Sequence, residues 1–176
     1  MSYTEDMSES GEKRFPEKLI DEPSVFEDMD ETAALSWISI KSHLERIGLF
    51  PSPNPKILEL GSGNGIALEE MKKEGLDAVG VDLRPRSDKD VVQVAARIEQ
   101  LPFADESFDL IYSSSVFDDD LYKQDQRAML EECARVLKKG GLFVGSVHND
   151  ITDKMPESLV RTHGDQGNFR LVYQKK

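Results

Sequence analysis

Residues 59–65 read Glu-Leu-Gly-Ser-Gly-Asn-Gly, set between the apolar run KILEL (56–60) and the helical stretch IALEEMKKEG (66–75). Gly61, Gly63 and Gly65 let the main chain turn through conformations that a β-carbon disfavours and let a ligand lie against the backbone. The turn opens onto a helix amino terminus, where unpaired amides and the positive dipole end favour an anionic group such as a carboxylate. A second apolar run, AVGVD (78–82), follows and ends on Asp82, 17 residues after Gly65. A carboxylate at that place can accept both hydroxyl hydrogens of a ribose. Strand, glycine turn, helix and spaced acid together imply a nucleoside carrying an anionic tail.

Of two other glycine-rich loops, the spacing disfavours one and excludes the other. A dinucleotide fingerprint needs Gly or Ala where Ile66 stands, and a branched side chain there obstructs the close approach of strand and helix around a pyrophosphate. A Walker-type loop needs a Gly-Lys-Ser or Gly-Lys-Thr that does not follow.

Outward from this turn the chain alternates short apolar runs with helical stretches, the pattern of parallel strands joined by crossover helices. VVQVA (91–95), FDLIYS (108–113) and GLFVGSV (141–147) are the further strands, and the helix from Tyr122 to Lys138 is stopped by Gly140 and Gly141. After Val147 a short helix near Glu157 to Thr162 and a terminal strand, NFRLVY (168–173), are expected. Before the glycine turn, Leu35, Ile38, Leu44 and Ile47, with Trp37 and Ile40, recur at helical spacing from Phe26 to Gly48, and prolines at 51, 53 and 55 end that helix. The fold expected is a Rossmann-like, doubly wound α/β sheet. It is three-layered, mostly parallel with an antiparallel carboxyl-terminal strand, and shortened at that end. Residues 1–14 are expected as a disordered acidic arm, 15–50 as a helical cap and 51–176 as the ligand-binding domain.

Composition narrows the function. The 176 residues hold 34 acidic and 22 basic side chains, a formal net charge of -12, and residues 1–31 alone contribute eight of those negative charges. Without clustered Lys and Arg, such a chain repels phosphate backbones and anionic lipid, so nucleic acid is a disfavoured partner. The single cysteine, Cys133, excludes an internal disulfide and a thiol-rich metal site, and its place on an apolar helix makes it buried and inert. No apolar run approaches the roughly 20 residues of a membrane span. The amino-terminal residues are acidic where a secretory signal is basic and then apolar, so a cytoplasmic protein is expected.

The motifs taken together resemble the class I S-adenosylmethionine-dependent methyltransferases, especially the type 11-like branch that contains the ubiquinone and menaquinone biosynthesis methyltransferases. ELGSGNG (59–65) is similar to the family's E-x-G-x-G-x-G loop, VGVDL (79–83) to its ribose-binding strand, EQLPFADESFDLIYSS (99–114) to its LPF-x-D-x-SFD segment, and CARVLKKGGLFV (133–144) to its R-V-L-K-P-G-G turn. The resemblance spans about residues 56–147. It implies S-adenosylmethionine as cofactor, S-adenosylhomocysteine as product, and no metal. Gly61, Ser62, Gly63, Asn64 and Gly65 would line the methionine part, and Glu59 would lie near its amino group or order the loop. Asp82 would hold the ribose, Leu83 would pack on the adenine, and the backbone of Ile98 with Glu99 would face the adenine edge. Ser113 would sit by the methionine amino group and the sulfonium.

The sequence departs from the family at four places. Arg97 stands where an Asp usually recognises the adenine amino group, and a guanidinium accepts no hydrogen bond. Asp118 and Asp119 replace a His pair, and Lys139 replaces a proline. One of the two strands that the family builds after the fifth is expected to be missing.

Methyl transfer from a sulfonium is an in-line displacement that needs alignment more than acid or metal chemistry. His148 and Asp118 are the candidate bases for an acceptor that must lose a proton. Asp118–Asp120 read also as helix caps, and Tyr112 and Trp37 as core, with Trp37 alternatively closing over a substrate. The leading expectation is a methyltransferase with a small-molecule acceptor. The alternatives are a protein methyltransferase with an open site and a non-catalytic cofactor-binding or scaffold relative needing a partner. A homodimer or partner subunit would complete the short carboxyl end.

Overall fold

The structure, a computed structural model, describes residues 23–51, 53–85, 90–114, 116–118, 126–146, 152–164 and 170–176. Among the described residues three α-helices, α1 (Pro23–Arg46), α2 (Ile66–Lys73) and α3 (Gln126–Val136), accompany seven strands. The strands are β1 (Lys56–Leu60), β2 (Asp77–Asp82), β3 (Gln93–Ala95), β4 (Phe108–Ser114), β5 (Leu137–Ser146), β6 (Leu159–Gly164) and β7 (Arg170–Lys175). They form one sheet in the order β3-β2-β1-β4-β5-β7-β6. β1 to β5 run parallel, and β7 pairs antiparallel with both β5 and β6.

The strand order reverses between β1 and β4, so the crevice beyond their carboxyl ends is the switch point at which open α/β sheets bind ligands. Successive side chains along β1 point to opposite faces and both faces are covered. Ile57 joins Trp37, Ile40, Leu44, Leu68 and Met71 under α1 and α2. Leu58 and Leu60 join Ile111, Met129, Leu130 and Phe143 under α3. The three-layer, doubly wound expectation is met.

Helix ends follow their glycines. Gly48 (φ 70) and Gly75 (φ 75) are left-handed caps. The amides of Leu49 and Leu76 reach back to Leu44 and Met71 over 2.8 and 3.0 Å, which satisfies carbonyls that each helix leaves open. α3 ends at Val136, before its glycines, because the amides of Glu106 and Ser107 take the carbonyls of Arg135 and Val136 at 3.1 and 2.8 Å. Gly140 (φ 80) serves a β5 irregularity, where the pair Phe108–Leu137 is followed by Leu110–Leu142.

Three expectations are corrected. The segment expected as a short helix near Glu157 to Thr162 enters β6, because its run Leu-Val-Arg-Thr satisfies the open edge of β7 and pairing overrides local helical preference. Both strands after β5 are present. What the described residues lack between β5 and β6 is an α-helix, and a single turn at Thr152–Lys154 stands there. In α1, Leu35 and Ile38 are 56% and 43% exposed, since they lie on the side of the helix opposite Trp37, Ile40 and Leu44.

Candidate functional site

The glycine turn leaves the end of β1 and is fastened to β2. The amides of Gly61 and Ser62 both donate to the carbonyl of Val81, at 2.8 and 3.1 Å. Gly61, Gly63 and Gly65 have φ of 70, 46 and 74°, all left-handed, and Gly65 caps α2. The carboxylate of Asp82 braces two turns at once: Oδ2 accepts the Gly63 amide at 2.9 Å and Oδ1 accepts the Arg84 amide at 2.8 Å. Each oxygen keeps a further lone pair for a ligand hydroxyl. Asp82 and the turn are thus brought together, and the acid organises the loop.

Two further residues shape the turn. Gly80, in β2, has no room for a side chain, because a Cβ there would meet Ser62 Cβ at 2.5 Å and Leu68 Cδ1 at 2.6 Å. A glycine amid the β-branched residues of AVGVD is its signal in the sequence. Gln93 of β3 donates from Nε2 to Ser62 Oγ at 2.8 Å and to the Gly63 carbonyl at 3.1 Å. No local pattern marks a glutamine that reaches across two strands.

Two polar groups are buried beside the turn without a partner among the described residues: Glu59 Oε2 and Ser113 Oγ. Glu59 is 4% exposed; burial, with the charge of Asp82 added, holds its carboxyl well above the ordinary glutamate range. Ser113 ends the apolar part of β4 and lies in register with Leu60, across the switch point from the turn. Unpaired buried oxygens are costly and call for an explanation, and an ammonium or hydroxyl donor from a ligand satisfies both. The space over Gly63 is open: a methyl group in place of its α-hydrogen would meet no atom within 4 Å. Over Gly61 the same methyl group would lie 2.3 Å from Val116 Cγ2. The donors and acceptors present therefore fit a cationic, hydroxyl-bearing nucleoside, with Gly63 the open part of the cradle and Gly61 the part already roofed by protein.

On the far side of β2, Leu83 is half-buried and Ile98, in the single turn Ile98–Gln100, is 5% exposed. Glu99 is half-buried and takes an ion pair from Arg97 at 3.0 Å. Arg97, which the resemblance places where an Asp is usual, thus pairs with Glu99. Asn64 is half-buried in the turn.

The acceptor side is built differently. Ser114 Oγ donates to Ser36 Oγ at 3.2 Å, which brings α1 to the end of β4. Asp118 ends a single turn, Val116–Asp118, immediately beyond β4. Behind that turn the buried Gln126 donates from Nε2 to the Phe117 carbonyl at 2.7 Å, and its Oε1 receives Lys154 Nζ. His148, Asp119 and Asp120 lie outside the described residues. Trp37 is fully buried, edge-on to Tyr112 at 5.5 Å, and is a core residue. Cys133 is buried, and burial pushes its thiol far above the ordinary range, as an inert core residue requires. Among the described residues no helix is long and apolar enough to cross a membrane, and no group of three His, Cys, Asp or Glu could hold a metal.

The strand order, the switch-point turn and its acid define a doubly wound domain of the nucleoside-binding kind. Residues 58–145 match the family described as methyltransferase domain, and the chain belongs to it, within the class I S-adenosylmethionine-dependent methyltransferases. Over 95 residues the chain is 38% identical to a demethylmenaquinone methyltransferase of Corynebacterium urealyticum, a match covering 51% of this chain and 40% of that protein. Over 129 residues it is 36% identical to a malonyl-[acyl-carrier protein] O-methyltransferase of Coxiella burnetii, covering 68% of this chain and 43% of that one. The matches thus span less than half the length of these curated relatives. Among solved structures, a SAM-dependent methyltransferase of Thermotoga maritima shares the fold with a TM-score of 0.59 at 18% identity, covering 87% of this chain and 95% of that one. A methyltransferase chain in complex with the Haloferax volcanii Trm112 methyltransferase activator has a TM-score of 0.53 at 25% identity, covering 72% of this chain and 59% of that one.

Proposed function

We propose that this chain transfers a methyl group from S-adenosylmethionine to a small-molecule acceptor. The observation that carries the reading is the cradle around Gly63: open space above a left-handed glycine whose amide is held by Asp82, with the unpaired carboxylate oxygen of Glu59 buried alongside. S-adenosylmethionine, when bound, supplies an electrophilic methyl group on a sulfonium.

The chain's own residues bind and align. Asp82 offers its free lone pairs to the ribose, Glu59 and Ser113 take the methionine end with the turn 61–65, and Leu83, Ile98 and Glu99 take the adenine. Because in-line displacement depends on holding the reacting groups at near-contact distance, this alignment is the main catalytic contribution. Asp118, in the turn after β4, or His148, after β5 in the sequence, is proposed to accept the proton when the acceptor is a hydroxyl or an ammonium. A small-molecule acceptor is supported by the quinone methyltransferases among the relatives.

A second reading, a relative that needs a partner subunit, is favoured by the activator-bound neighbour and by the Arg97–Glu99 pair, which occupies the adenine-facing acid. Calorimetric titration with S-adenosylmethionine and S-adenosylhomocysteine separates the two. One-site binding by the isolated chain supports the enzyme; absence of heat with both leaves the partner-dependent reading. Transfer of a labelled methyl group across a panel of hydroxyl, amine and quinol acceptors then identifies the acceptor.

A further inference from the structure

The two segments LPFAD (101–105) and RVLKKGG (135–141), separate in the sequence, meet through one side chain. Arg135, on the last turn of α3, directs Nε and Nη2 to the two carboxylate oxygens of Glu132 at 2.7 and 2.8 Å. Its Nη1 donates to the Phe103 carbonyl and to Asp105 Oδ1, both at 2.8 Å, and Nη2 also donates to the Leu101 carbonyl at 2.9 Å. These bonds use all five donors of the guanidinium. Glu132 Oε2 in turn accepts the Leu101 amide at 2.8 Å.

A pair made only to support the helix would end with Glu132, one turn earlier. Three of the five Arg135 bonds instead leave α3 and hold a loop that has no sheet partner of its own. That loop contains Glu106 at φ 55, a left-handed conformation that side chains disfavour and that persists where the surroundings fix it. It also begins directly after the turn Ile98–Gln100.

We propose that Arg135 and Glu132 are positioning residues for the cofactor: by clamping Leu101–Asp105 they hold the preceding turn, with Ile98 and Glu99, as the adenine-facing wall. The inference rests on the cofactor reading above. The planar fork preorganises the wall, so that binding does not bear the cost of ordering it. A lysine carries the same charge, but its single nitrogen does not span two carbonyls and a carboxylate.

The test compares the wild type with Arg135→Lys and Glu132→Gln. Each is titrated by calorimetry with S-adenosylhomocysteine and with S-inosylhomocysteine, which differs at the base alone, and thermal melting is recorded in parallel. The expected result is a Kd for S-adenosylhomocysteine raised about 5- to 20-fold in Arg135→Lys, with one-site stoichiometry kept and the preference for adenine over hypoxanthine reduced. In Glu132→Gln, which keeps one acceptor for Arg135, the same shift is expected at about 2- to 5-fold, and it carries the test where the lysine variant does not fold. Unchanged Kd and unchanged base preference, with only a lower melting temperature or a smaller binding-competent fraction, would show a purely structural clamp and overturn the proposal. Absence of binding by the wild type would overturn the cofactor reading first, a result distinct from any change between variants.

Discussion

The two halves of the site are built by different means. On the β1–β2 side the proposed cofactor cradle is made of backbone: three left-handed glycines, amides fastened to Val81 and Asp82, and space over Gly63. On the β4–β5 side the single turn Val116–Asp118 is held from behind by a side chain, the buried Gln126, and Ser114 at the end of β4 bonds Ser36 of α1. A shared fold carries its glycine turn in local backbone constraints, whereas what is peculiar to one enzyme lies in the segments grafted onto that fold.

Asp82→Ala breaks the backbone-built half most severely. It removes the proposed ribose acceptor and the acceptor of the Gly63 and Arg84 amides, and cofactor affinity is expected to fall by about 1.5 to 3 kcal/mol, roughly 10- to 150-fold, in calorimetry. The two glycines sharpen the contrast within that half. Gly61→Ala places a methyl group on Val116 and adds about 1 to 2 kcal/mol of left-handed strain, so thermal melting is expected to fall first. Gly63→Ala carries the strain without the clash, and its larger effect is expected on cofactor binding, since the methyl group enters open space.

Glu59 gives a pH signature. Its folded-state pKa is raised, chiefly by burial, so the folded chain binds this proton more tightly than the unfolded chain. Stability from this group is present at low pH and is lost as pH rises from the ordinary glutamate value, about 4.3, through the raised one. Glu59→Gln is expected to remove that loss, seen as a flatter dependence of melting temperature on pH. A bound cation pulls the pKa back down, so binding of S-adenosylmethionine releases a proton and tightens with pH in the wild type but not in the variant, as titrations in buffers of different ionisation heat would report. The smallest expected effect is that of Arg97→Asp, which frees Glu99 and restores an acceptor for the adenine amino group. Affinity for S-adenosylhomocysteine should improve about 2- to 5-fold, about 0.5 to 1 kcal/mol.

Much of the backbone-built half is legible in the sequence because its constraints are local. Left-handed turns need Gly61, Gly63 and Gly65, and Asp82 closes a strand at a fixed distance from them. The β1–β5 core is legible for the same reason, as short apolar runs separated by helical periods. β6 escapes a local reading because its strand character comes from pairing with β7, which the residues Leu159 to Thr162 do not encode alone. Gln93, Gln126 and Arg135 are invisible in the sequence because each acts 9 to 34 residues away along the chain. Leu35 and Ile38 fall on the open face of α1 because their spacing matches the buried set while their phase does not.

A crystal structure of the chain with S-adenosylhomocysteine shows whether the turn 61–65 is the cofactor cradle. The ribose hydroxyls are expected within hydrogen-bonding distance of the Asp82 carboxylate, with the ligand backbone lying over Gly63. Density for the ligand at another place, or a Val116 side chain filling the cradle with no ligand bound at saturating concentration, would contradict it.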